Sequence, residues 1–196
     1  MPHEGVRWRV DLQTKKFAVA DYRAAQAAGI AHGTTDPLVV PKPIGVFSSS
    51  GNILTYGGAD LLWLGLRTGL SGTSGLANTL YNNGNAGIIV GDTTQSVVAT
   101  RTEIAASTGA THRYTKGMDA TFPTHTTGTG ASTASKMLFR ATFSSSQANF
   151  AWKEWGIKNR VQQSLNSGRL LNYNTTSQGT KVSSAIWQFT ITLSLA

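Results

Sequence analysis

A chain of 196 residues suits one large β-domain, or a smaller domain with an extension. It has no cysteine, which removes disulfides, cysteine–zinc sites and thiol nucleophiles together. Its 17 Lys and Arg against 9 Asp and Glu give a net charge of +8, with the bases scattered rather than blocked. That pattern favours generic solubility or docking on an acidic protein surface over nucleic-acid binding.

Val6 to Leu12 alternates strictly, apolar then charged, and predicts a half-buried strand. Asp21 to Ala28 favours helix, with Gly29 as its stop. Pro37, Pro41 and Pro43 then impose extended, polyproline-like chain. Residues 1–45 therefore read as an extended basic N-terminal arm with little core of its own. Val6, Arg7, Trp8, Arg9, Val10, Leu12, Lys15 and Lys16 are its expected attachment residues. They would add a strand to a neighbour's sheet edge and pair charges with an acidic rim.

Residues 46–196 read as the body. Tyr56 to Leu66 predicts a short apolar core helix, too short to span a bilayer. Residues 68–85 are rich in Gly, Ser and Asn and read as loop. Ala86 to Asp92 reads as a buried strand, residues 93–107 fit helix or strand equally, and 123–135 reads as loop. Met137, Phe139, Ala141 and Phe143 share one face of a strand. Trp187, Phe189, Ile191, Leu193 and Leu195 alternate with Gln188, Thr190, Thr192 and Ser194. The expected fold is mainly β: an antiparallel, jelly-roll-like β-sandwich with one or two short helices and the arm.

In Asn149 to Ile157, NFAWKEWGI, two tryptophans flank a charged pair. Phe150 and Trp152 share one parity; Trp155 and Ile157 share the other. A bulge between Lys153 and Glu154 resets the alternation and keeps both tryptophans inside. Trp152, Trp155, Trp187, Phe189, Ile191 and Leu193 are thus the expected structural core. Glu154 between two aromatic rings also fits a sugar platform, but the strand with a bulge accounts for the same residues without a ligand.

Candidates for chemistry are sparse. His3, His32, His112 and His125 lack metal-ligand spacing, and only a fold-back could join His112, Asp119 and His125. Asp92, after an apolar strand, reads as a turn. The glycine patterns GTSG and GNAG lack the residues of a phosphate loop. Asn174-Thr175-Thr176 is a glycosylation sequon, meaningful only for a secreted chain. The opening MPHEGVRWRVDLQ carries no apolar segment of a secretory signal, and no run is long enough to span a membrane. No nucleophile, base and orienting group assemble, so no enzyme, cofactor or metal is expected.

The ordered strings SSSGNILTYGGADLLW, NNGNAGIIVGD, KGMDATFPTHT, FRATFSSSQANFAWKEWGI, GRLLN and GTKVSSAIWQFTITLSLA resemble a family of virion proteins of tailed bacteriophages. The resemblance covers roughly residues 46–196 and is most specific at FRATF, ANFAWKEWGI and WQFTITLSL. Arg160 to Asn166 fills a region that is a shorter turn in that family, and residues 1–45 lie outside it. The resemblance implies a structural component of the phage particle, assembled in the bacterial cytoplasm. The expected partner is the major capsid protein lattice, with the chain as a decoration (cement) protein and a homo-oligomer. The alternative is a minor tail, collar or fibre-type protein of the phage tail, with host glycans as its candidate ligand.

Overall fold

The computed structural model describes residues 8–27, 41–50, 53–56, 58, 81–125, 136–161 and 167–195. Val6, Arg7, His3, His32, Gly29, Pro37, most of the apolar run after Tyr56 and the loop at 126–135 lie outside them.

Among the described residues, two five-stranded antiparallel sheets form the body. The first runs β2 (Gly45–Ser50), β1 (Trp8–Ala18), β12 (Ala185–Leu195), β7 (Lys136–Phe143) and β6 (Thr124–His125). The second runs β3 (Ile53–Leu54), β10 (Leu170–Asn174), β9 (Glu154–Lys158), β4 (Gly87–Gly91) and β5 (Arg113–Gly117). A two-stranded piece pairs β8 (Ala151–Trp152) with β11 (Gly179–Thr180). One α-helix, α1 (Val19–Ala27), is described. Residues 93–107 are neither helix nor strand.

The sandwich core follows the period-2 pattern. Phe139, Ala141 and Phe143 of β7, and Trp187, Phe189, Ile191 and Leu193 of β12, are buried in one cluster with Ile88, Val90, Trp155, Ile157 and Leu171 from the second sheet. The partners Phe189↔Ala141 and Ile191↔Phe139 set these side chains on the same inner face.

The arm expectation is corrected here. Val10 and Leu12 are 1% and 2% exposed and belong to that same core. β1 does add to a sheet, but to its own: Leu12 pairs with Ile191 on one side and with Ser49 on the other. The alternation of residues 8–12 is a true strand signal. Alternation reports one apolar face, not whose core that face completes. The boundary at residue 45 therefore divides one structural unit, at least for residues 8–18.

The chain interruption in NFAWKEWGI falls where the alternation resets. Lys153 N–H donates to Gly91 O at 2.8 Å while Glu154 stands opposite Gly91, so two residues face one. The same point transfers the chain from the small sheet at Trp152 to the second sheet at Glu154. Trp152 meets Phe143, Trp187 and Phe189 edge-on, with centroids 4.6, 4.8 and 5.5 Å away, and Trp155 meets Phe189 at 5.6 Å. Both rings are core, with no face presented to a ligand.

Candidate functional site

The outer faces of the two sheets differ. The second is covered by the irregular segment 92–112, whose Ile104 and Ala106 pack on Ile89, Leu170 and Tyr173. Glu154 fastens it. Its carboxylate, buried on this face, accepts from Ala105 N–H at 2.8 Å, Ala106 N–H at 2.6 Å and Tyr173 O–H at 2.7 Å. Burial raises the Glu154 pKa, and these three donors with Arg113 oppose the rise. Gly91 is required beneath: a Cβ there would stand 2.5 Å from Glu154 Oε1 and 2.8 Å from Ala106 Cβ.

Beside it, Glu103 joins two buried cations. Arg113 Nη2 lies 2.7 Å from Oε1 and Lys158 Nζ 3.3 Å from Oε2, and Lys158 also donates to Ser167 Oγ at 3.1 Å. Burial lowers the Lys158 pKa, and Glu103 opposes that shift. All three charged side chains are nearly inaccessible, so this cluster holds the fold and meets no substrate.

Asp119 is spent in the same way. It accepts from Arg140 Nε at 3.1 Å, Thr142 N–H at 2.9 Å and Thr142 Oγ1 at 2.8 Å. His112 instead pairs with Asp92, Nδ1 to Oδ2 at 2.7 Å. His125 lies exposed on β6. The structure therefore does not bring His112, Asp119 and His125 together. Among the described residues no group of three His, Asp or Glu could hold a metal ion. Asp92 does more than turn the chain, since it orients an exposed imidazole.

The first sheet keeps an open outer face. Residues alternate outward along β1 as Arg9, Asp11, Gln13 and Lys15, beside Thr192, Thr190 and Gln188 of β12 and Ser48 of β2. Arg9 and Asp11 pair at 3.0 Å in solvent. A shallow groove of about 590 Å³ runs between Arg9, Gln13, Ser48, Leu138, Thr190 and Thr192. At the other end α1 folds over this face, with Phe17 and Tyr22 at 5.4 Å and Ile186 beneath them.

Of the expected attachment residues, Arg9 and Lys15 lie on this outer face, while Val10 and Leu12 are core. Lys16 turns inward, its Nζ 4.1 Å from the Trp187 ring centre and 2.9 Å from Gln178 O. Trp152, Trp155, Trp187, Phe189, Ile191 and Leu193 all lie in the expected core. The buried Glu103, Arg113 and Lys158 carried no sequence signal beyond the scarcity of acids.

No helix among the described residues is long and apolar enough to cross a membrane. Comparison with protein-family models, with curated proteins and with solved structures found no match.

Proposed function

We propose that the chain is a non-enzymatic structural protein of a phage particle, a decoration protein that docks on the outside of the capsid lattice. One observation carries the docking reading. The carboxylates of Glu103, Glu154 and Asp119 are withdrawn into internal networks, while Arg9, Arg23, Lys136, Lys153, Arg160 and Arg169 stay exposed. Arg113, Arg140, Lys158 and Lys181 are withdrawn as well, so the surface keeps the net positive charge of the whole chain, and an acidic protein surface is its natural complement. The attachment surface moves from the arm to the open face of the first sheet. The resemblance of residues 46–196 to phage virion proteins supplies the context. Exposed Ile44 and Val46 at the edge strand β2 support self-association alongside docking.

A tail, collar or fibre role is the second reading. The groove on the open face, lined by Gln13, Ser48, Thr190 and Thr192, favours it, because amide and hydroxyl groups on a flat sheet suit a glycan. Co-sedimentation with undecorated heads tests the first reading: the protein should bind at a copy number near that of the capsid subunit, and less so as salt rises. A few copies per particle, found only on tails, would establish the second.

A further inference from the structure

A cleft of about 400 Å³ opens where α1 meets the ends of β5 and β7. Three separate segments build it. Tyr22, Arg23 and Gln26 come from one side of the helix, since residues three and four apart are surface neighbours. Lys116 to Asp119 form the second wall, and Thr142, Ser144 and Ser145 the third. Ile186 contributes to an apolar floor.

Its charge is one-sided. Asp119, the single carboxylate among the described lining residues, is saturated by Arg140 and Thr142. Arg23 is exposed and Lys116 half-buried, and neither takes part in an ion pair among the described residues. The cleft therefore offers two cations, hydroxyl groups and the Gln26 amide to one small volume.

We propose that this cleft is a socket for a carboxylate side chain on an acidic loop of a partner protein. The inference rests on the docking reading above and gives it an anchoring point. Arg23 suits a carboxylate because its planar fork matches two oxygens. A phosphate dianion fits less well. Arg23 and Gln26 lie in the last turns of a helix ending at Ala27, where the aligned carbonyl groups disfavour concentrated negative charge. Two cations are also too few to follow a nucleic-acid backbone.

The test uses the full chain and a short fluorescein-labelled peptide of alternating glutamate and serine, read by anisotropy. The glutamate peptide should bind, and its glutamine counterpart should not. Arg23→Gln and Lys116→Gln should each weaken binding about tenfold, the usual effect of losing a charge-assisted hydrogen bond. Arg160→Gln, a surface base outside the cleft, should match the parent, and amide shifts in NMR spectra should concentrate at 116–119 and 142–145. Equal loss in Arg160→Gln would overturn the proposal, because diffuse charge would then explain the binding. So would unchanged binding in the two cleft variants, equal binding of the glutamine peptide, or displacement by equimolar inorganic phosphate. Peptide binding without co-sedimentation on heads would leave the socket standing and remove the capsid reading; co-sedimentation without peptide binding would do the reverse.

Discussion

Lys16 Nζ stands 4.1 Å over the ring of Trp187, joining the first described strand to the last. Lys16 and Trp187 are also direct backbone partners in the sheet. A segment bound this way is structural, whatever else it does.

Deleting residues 1–18 should therefore abolish the cooperative thermal transition. The deletion removes an inner strand, the buried Val10 and Leu12, and the partner of β2. Circular dichroism on the truncated chain checks this, and a truncated body that still melted sharply would restore the arm reading.

Trp152→Ala and Trp155→Ala should each cost roughly 3–5 kcal/mol in urea unfolding, the range for truncating a buried aromatic. Trp152 should stand at the upper end, because it touches three rings and donates from Nε1 to Ala148 O at 2.9 Å. A variant that unfolded like the parent but lost sugar binding would revive the platform.

Glu103→Gln should be far more damaging than Asp11→Asn. The first removes the buried carboxylate that ion-pairs with both Arg113 and Lys158, an effect of roughly 3–5 kcal/mol. The second breaks a solvent-exposed pair, worth ~0–1 kcal/mol. Equal urea midpoints for the two variants would show that the buried cluster is not needed for stability.

Stability should rise from pH 7 to about 9.5. The Lys181 amine is 1% exposed, donates to Asn149 Oδ1 at 2.8 Å, and has its pKa lowered by burial from 10.5 to about 8. Between those values the unfolded chain binds the proton that the folded chain has released, so raising the pH favours folding. Lys158 and Lys16, also lowered by burial, add the same sign. Tyr81 and Tyr173 act oppositely: burial raises both, so their contribution is lost above pH 10. Urea midpoints across this range should climb in the parent and climb less in Lys181→Met. A flat or falling parent profile would refute the assignment.

The sequence made β7 and β12 readable because a strand with one face on the core and the other turned outward must alternate. Both followed from that periodicity, as did the reset at Lys153, while β4, buried on both faces, showed as a continuous apolar run. What it did not reveal was pairing. Arg7, Arg9, Lys15 and Lys16 looked like reach toward a partner, although two of the described ones lie on a sheet face and Lys16 caps a tryptophan. Residues 93–107 had no period because hydrogen bonds to the Glu154 carboxylate, 48 and 49 residues away, order part of them. The cleft was equally hidden: Arg23, Lys116 and Ser145 share no local pattern and meet only through the topology.

The pairing of Leu12 with Ile191 sets a constraint on time as well as space. On the ribosome β1 emerges early and β12 late, so the first sheet cannot close while the intervening chain is being made. At ~5–20 residues per second that interval is on the order of 10–30 s. Throughout it Val10 and Leu12 face water, and both edges of β1 seek partners. Only β2 is soon at hand, and it covers one edge. Chaperone capture or premature pairing between nascent chains should thus compete with folding at this stage, and slower growth temperatures or slower translation should lengthen the exposure rather than relieve it.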